Sequence, residues 1–559
     1  MKKVLLFAMA AIFAGSLFAQ TSGGPDAYGY TWKNSNHTVT PPAFQWFDIS
    51  VIGMEVGGLG DDNIVGPFSA VQGFQFYWYP LSQFWIGSNG FISFNGDNIA
   101  SPFPAGIPLA SGANNWIAPL MADLNFAGSG NTAKCYYWSN ADTLCVSWLD
   151  LPFWTNNAVG YSGSNSFQVI MNKVDKSITF NYLSTNIGQG TLDIAIGIEN
   201  STGTLGLAAM LDVLPAANFT IKFYYPSTVT YAVTDGGMDW NGNETNGGVF
   251  IPQGLPYPLQ ANVRNFGNQV LGSFTVRDTV VSNALVPMTS GSVTIPGLAV
   301  QADTTVVFPN TFTPTAAGTY RFNSSIAGIT GDMVAANNRK TQEIIVVDTN
   351  LTTMMLDYSS GFSSGGGLGW QGGNGGIGVY FAPPKYPVRI AGSRFLITAN
   401  TSSQGFYAMI YRDDGANKGP GTLLDSVYVS PFQITTGIYT AVPTASNTIF
   451  IDSGGVYVLW YMGGPDINLG RDNSQPISFR TYEVLSGIWA DYRDKYSEDF
   501  CLGLDVVSPA PFTDFNIDAA GDPVFNFTDI SLYNPTSWAW TFGDGGSSNL
   551  QNPSHTYNG

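Results

Sequence analysis

Apolar and polar residues alternate through most of this chain. In "FQFYW", Phe74, Phe76 and Trp78 take every second place, so an extended strand puts all three on one face. "GFISF" (90–94) follows a Ser-Asn turn and reads as a second strand. "FQVIMNKVDKSITFNY" reads as a hairpin, with Phe167, Val169 and Met171 facing Ile178, Phe180 and Tyr182 across a turn near Asp175. "FTIKFYY" (219–225) closes that region before Pro226, and "GGVYVLWYM" predicts a strong buried strand later on. At the far end Trp538, Trp540 and Phe542 alternate ahead of an Asp544-Gly545 turn. No long stretch after the first twenty residues carries the three-and-four spacing of an amphipathic helix. The pattern predicts an all-β chain of tandem β-sandwich domains, immunoglobulin-like and jelly-roll-like.

Composition sharpens this picture. A length of 559 residues is a prior for about three to five domains. Charged residues make up only 11% and aromatics 14%, and among the acids six Glu stand against 33 Asp. Few Glu and Lys with many Asp and Asn favour turns over helices. The net charge of −18 repels nucleic-acid phosphates, and no basic stripe offsets it, so nucleic-acid partners are excluded. "MKKVLLFAMAAIFAGSLFAQ" has two lysines, an apolar run and a small residue, Ala19, before Gln20. It reads as a secretory signal peptide over 1–19, with a retained anchor as the alternative. No other apolar run reaches about twenty residues, so no membrane span is expected in the mature chain. The expected location is therefore secreted, extracellular or outer-surface.

The texture of the sequence divides the chain into 20–228, 229–349, 350–508 and 509–559. The first segment carries "GYTWKNSN", "GDDNIVGPF", "WIGSNGFISF", "NNWIAPLMADLN" and "AIGIENSTGTLGL". It resembles a β-sandwich module found at the front of large secreted bacterial proteins, for which no catalysis is expected. The second, with the Asn265-Phe266-Gly267 turn, "AAGTY" and Asn337-Asn338, resembles a CARDB-type immunoglobulin-like domain, which implies spacing and adhesion. The third, with "GFYAMIYRDDGANKGPGTLLDS" and "GGVYVLWYM", resembles jelly-roll accessory domains, which often hold carbohydrate. The fourth, with "WTFGDG" and "NPSHTY", resembles a PKD domain. At 51 residues it is shorter than the roughly 80–100 such a sandwich needs, so the sequence is expected to be a fragment. Type IX secretion follows by analogy with the proteins it resembles.

Candidate chemistry is sparse. There are two histidines: His37, in the polar loop "NSNHTVT" with no obvious partner, and His555, inside "NPSHTY"; a Ser-His-Asp triad needs a His oriented beside a nucleophile, so a His-based hydrolase is not expected. No HExxH, CxxC, GxSxG or P-loop pattern occurs. Calcium is the candidate metal, since its ligands are hard oxygens. Asp239, Asn241 and Asn243 alternate like the opening of a calcium loop, although Glu244 stands where that loop needs glycine; Asp61, Asp62 and Asn63 form a second candidate. Plain turns are the competing reading for both. Trp370, in a Gly-rich loop, and Trp489 with Tyr492 are the candidate glycan contacts, against a core role. Cys135 and Cys145 flank a turn that, centred on Asn140, would place them opposite each other as a disulfide; the alternative is two buried thiols. Cys501 is left over.

The expected function is non-catalytic: adhesion to an extracellular polysaccharide, matrix or cell-surface ligand. The alternatives are an accessory region of a secreted hydrolase whose catalytic domain lies outside this sequence, and a glycosidase hidden in the third segment.

Overall fold

The computed structural model describes residues 20–557 apart from 71–72, 97, 99–103, 105, 111–112, 243–246, 371–374, 402–403, 462, 486, 493, 510–512, 522 and 532–534. The signal segment 1–19 and Asn243 lie outside the described residues. Almost every element is a strand, with three short 3-10 turns among the described residues. The all-β, tandem-sandwich expectation holds.

In the first unit an eight-stranded sheet is built around Thr143–Trp154, Tyr161–Asn172, Ser177–Ser184 and Phe219–Tyr224. It packs on a six-stranded sheet centred on Trp116–Met121 and Ala195–Glu199. The predicted hairpin is present in the predicted register: Phe167 pairs with Tyr182, Val169 with Phe180 and Met171 with Ile178. All six side chains are buried in the core between the sheets. Trp148 stacks on its cross-strand partner Phe167, with ring centroids 5.1 Å apart. Each fully buried aromatic of this kind contributes about 1.5–3 kcal/mol through the area it removes from water.

The expected disulfide is corrected here. Asn140 Oδ1 accepts the N–H groups of Asp142 and Thr143, so Ser139 pairs with Leu144 and the turn centre moves past Asn140. Cys135 then pairs with Trp148, and Cys145 with Trp138. Side chains alternate along a strand, so Cys135 enters the core beside Trp148 while Cys145 points to the opposite face, 3.8 Å from Ser147 Oγ. Both are buried free thiols, as is Cys501.

The second unit packs a three-stranded sheet (Gly236–Asn241, Tyr257–Asn265, Asp303–Phe312) on a five-stranded one. The five strands run Val249–Pro252, Arg339–Val347, Gly318–Ala327, Phe274–Ser282 and Pro287–Ile295. The third unit packs a sheet centred on Val388–Asn400 and Leu502–Val507 against a six-stranded sheet. That second sheet runs Leu423–Val429, Phe406–Arg412, Val456–Tyr461, Gly375–Phe381, Thr481–Leu485 and Ile488–Asp491. In the C-terminal unit three strands (Phe515–Gly521, Val524–Asp529, Ser554–Thr556) lie beside a two-stranded ribbon, Trp540–Thr541 with Ser547–Ser548. Trp538, Trp540 and Phe542 are half-buried there; the two indoles donate to Asp529 Oδ2 and to the Leu550 carbonyl, each at 2.8 Å.

The first three units touch. Trp78 Nε1 of the first donates to the Phe266 carbonyl of the second at 3.0 Å. A Cβ added to Gly60 of the first would lie 3.1 Å from Ile488 of the third. Between the second and third units the contact is a shared core: Phe250 packs on Tyr358, with ring centroids 4.6 Å apart, and joins the third unit's apolar cluster.

Candidate functional site

Alternation dictates the surface that stands out. In Val456–Tyr461, Val456, Val458 and Trp460 point into the third unit's core, so Tyr457, Leu459 and Tyr461 share the outer face. The ladder carries that face sideways: Tyr407 pairs with Tyr461 and with Tyr428, and Tyr411 and Tyr380 both pair with Tyr457. Gly378 pairs with Leu459 and with Tyr482, and Trp489 stands on the neighbouring edge strand. Eight aromatic side chains therefore occupy the outer face of one sheet, where a sandwich normally shows polar groups to water.

The rings contact one another rather than stand singly. Trp489 lies 5.4 Å from Tyr457 and 5.6 Å from Tyr411, both edge-on, and Tyr457 lies 5.2 Å from Tyr482. Tyr407 and Tyr428 lie 5.2 Å apart and are 43% and 49% exposed, which makes their rings the accessible end of the face. Glycine makes this arrangement possible. A Cβ on Gly378 would sit 2.4 Å from Trp489 Cζ3, so only glycine lets the indole lie down across the strand. The hydroxyls are anchored at the rim: Tyr380 donates to Asp413 Oδ2 at 3.0 Å, Tyr457 donates to the Lys418 carbonyl at 2.9 Å, and Tyr428 accepts the Gly405 N–H at 3.0 Å.

Of the sequence's glycan candidates, Trp489 belongs to this face. Tyr492 does not: it is 4% exposed, packs in the core on Phe500 and donates to Glu498 Oε1 at 2.6 Å. The chain turns after Ile488–Asp491, and Tyr492 falls on the inner side. Trp370 is half-buried against the third unit's core, with its indole over Gly375. It also lines a shallow cavity with Glu483 and Ile488 of the third unit and Asp61, Asp62 and Asn63 of the first.

The two calcium candidates part ways. Asp61 and Asp62 converge with Asp123, a residue the sequence reading missed, and one carboxylate oxygen from each lies within 4.8 Å of the others. Asp62 Oδ1 accepts Asn89 Nδ2 at 2.8 Å. Asn63 is not part of that convergence: its Oδ1 accepts the Gly60 N–H and its Nδ2 donates to the Gly58 carbonyl, each at 2.7 Å, which closes its own loop. Asp239 and Asn241 are residues of strand Gly236–Asn241, with Asp239 exposed and Asn241 buried, and Asn243, the third member of that candidate, lies outside the described residues. A register shift between Met238 and Trp240 turns Asn241 inward, where its Nδ2 donates to the Phe322 and Lys340 carbonyls.

The two histidines have different neighbours. His37 Nδ1 lies 3.3 Å from Thr21 Oγ1, and His555 Nε2 lies 2.7 Å from Asp544 Oδ2 with its ring stacked on Phe542. Buried acids serve the frame. Glu199 accepts the Leu109 N–H at 2.6 Å, and burial pushes its pKa up to about 8. No helix among the described residues is long and apolar enough to cross a membrane.

A family model described as NIDO related matches residues 36–233, which takes in most of the first unit and the first five residues of the second. Among solved structures, the chain is similar to the CARDB domain of a Pyrococcus furiosus protein in complex with di-metal ions. That match has 19% identity, covers 22% of this chain and 95% of that one, and has a TM-score of 0.17. The solution structure of the same domain matches at 18% identity over 21% of this chain and 97% of that one, also with a TM-score of 0.17. The secreted serine protease VesC from Vibrio cholerae matches at 11% identity over 52% of this chain and 62% of that one, with a TM-score of 0.15. No curated protein matches the chain.

Proposed function

We propose that this chain is a secreted or cell-surface, non-catalytic protein that holds extracellular carbohydrate on the aromatic face of its third unit, and so serves adhesion to a matrix or cell surface. The observation that carries the reading is the aromatic face itself: Tyr407 and Tyr428 in contact at its accessible end, Tyr461 paired with Tyr407 across the ladder, and Tyr411, Tyr457 and Tyr482 gathered with Trp489 at the other end. Tyr407 and Tyr428, 43% and 49% exposed, are the accessible part of the face, and exposed aromatic surface backed by further rings marks a binding surface. Rings with polar hydroxyls suit a ligand that has both apolar C–H faces and hydroxyl edges, which describes a pyranose. Six neighbouring strands at about 4.8 Å spacing make the face long enough for several sugar units in a row. A shallow face of this kind holds each unit weakly, and repeated contacts along a polymer supply the affinity.

The test is binding of the full chain to insoluble polysaccharides and to a glycan panel, beside its Trp489→Ala and Tyr407→Ala variants. Retention of the parent, with at least about tenfold weaker binding in each variant, is expected, since truncating an aromatic anchor costs upwards of about 1.4 kcal/mol. Equal binding by parent and both variants would place the ligand elsewhere, and release of shorter sugars would defeat the non-catalytic reading.

A further inference from the structure

The joint between the second and third units encloses an acid that the aromatic face does not use. In strand Arg339–Val347, Ile344 and Val346 point into the second unit's core. Ile345 and Val347 face the other way and join Phe250 in the third unit's cluster. Glu343 shares that outward face and is 1% exposed, and its Oε2 has no hydrogen-bond partner among the described residues. Arg321 stands directly across the ladder. Its guanidinium reaches past Glu343 instead: Nη2 donates to the Gln475 carbonyl at 2.8 Å and to Asn283 Oδ1 at 3.5 Å.

The third unit meets Glu343 with more acid. Burial raises the Glu343 pKa most, Asp499, Asp357 and Asp472 raise it further, and Arg321 opposes them. Asp499 is 3% exposed and accepts the Ser478 N–H at 2.9 Å. Asp472 accepts the Ser360 N–H at 2.6 Å and the Ser364 hydroxyl at 2.7 Å. Around these acids the seam closes on Gly248. Its N–H donates to the Ser478 carbonyl at 2.7 Å, and its carbonyl accepts Tyr358 Oη at 3.0 Å and Arg480 Nε at 3.1 Å. A Cβ on Gly248 would fall 2.7 Å from the Tyr358 ring and 3.2 Å from Glu343 Oε2. The acids therefore sit inside the contact.

We infer that this joint is a proton-dependent latch: the two units stay docked while Glu343 is protonated, and part when Glu343 ionises beside Asp499, Asp357 and Asp472. Burial holds the Glu343 carboxyl well above its ordinary range, and the three aspartates push it further. Burial also raises Asp499 to about 7 and Asp357 to about 6. Asp472 lies below its ordinary range because, against the desolvation of burial, Ser360 and Ser474 bond to its charged form. It therefore supplies a fixed negative charge. The sign follows from linkage: the docked state binds protons that separated, hydrated carboxyls would release, so docking is strongest in acid and weakens as pH rises from about 4 through 7 and beyond.

The test is small-angle scattering of the full chain between pH 5 and pH 9, with Glu343→Gln, Asp499→Asn and, as a control in the first unit, Glu199→Gln. The parent and E199Q should expand as pH rises. E343Q, with a neutral side chain of the same shape, should expand less than the parent and only at higher pH, since Asp499 and Asp357 are left to titrate, and D499N should also move the transition to higher pH. A parent chain with the same dimensions at both ends of the range would overturn the latch. So would an E343Q chain that expands as the parent does.

Discussion

Substituting Gly378 tests the geometry of the aromatic face without removing a ring. An alanine there needs no unusual backbone, since Gly378 is not among the positive-φ glycines. Its methyl, however, would lie 2.4 Å from Trp489 Cζ3 and 2.9 Å from Cη2. The indole must leave the strand and lose its contacts with Tyr457 and Tyr411. Overpacking of this kind costs about 1–3 kcal/mol. Trp489→Ala alone should cost about 2 kcal/mol, less than for a fully buried aromatic because the ring is only partly buried. In the Trp489→Ala background the clash partner is gone. Gly378→Ala should then be neutral or stabilising by about 0.5 kcal/mol, as expected for replacing a strand glycine. The double-mutant cycle isolates the coupling. Thermal unfolding reads it as a loss of about 2–4 °C per kcal/mol for a unit of this size, and the same variant should weaken polysaccharide retention. An equal penalty for Gly378→Ala with and without Trp489 would refute the argument that glycine is there to seat the indole.

Other outcomes follow from groups away from that face. Burial raises Glu199 to about 8, so it contributes stability that is full below the ordinary carboxyl range and lost as pH climbs from about 4.5 to 8. Melting of the first unit should fall across that window, and Glu199→Gln should flatten the profile. All three cysteines should resist a thiol reagent in the native chain and react in denaturant without reductant; a mass two hydrogens light would contradict the register that separates Cys135 from Cys145. Tyr492→Phe removes the hydroxyl bonded to Glu498 and should lower stability by about 1.5–3 kcal/mol, while polysaccharide retention stays unchanged.

Local pattern was enough where the partners lie close in sequence and the period stays at two. The 167–182 hairpin is the clearest case, since six apolar residues and one turn fix both its face and its register. One side-chain amide defeated the same reasoning at Cys135 and Cys145, because the bonds to Asn140 shift the turn and alternation then separates the thiols. At Asp239 a strand irregularity hid the true element, and at Tyr492 the chain had already left its strand. Asp123 lies about sixty residues from Asp61, so no local window could bring them together. The aromatic face is assembled across six strands from four separate stretches of sequence. Its one local trace was "VYVLWY", a strand apolar at every position, which is more than a single core requires.

Phe250 belongs by sequence to the second unit, yet its ring completes the third unit's interior. These two blocks are therefore a single inheritance. Recombination at the sequence boundary near residue 349 would leave one product with a bare phenylalanine and the other with a hole beside Tyr358 and Phe381. Shuffling of such cassettes, by evolution or at the bench, should preserve the pair, and a graft should carry residues 229–508 together.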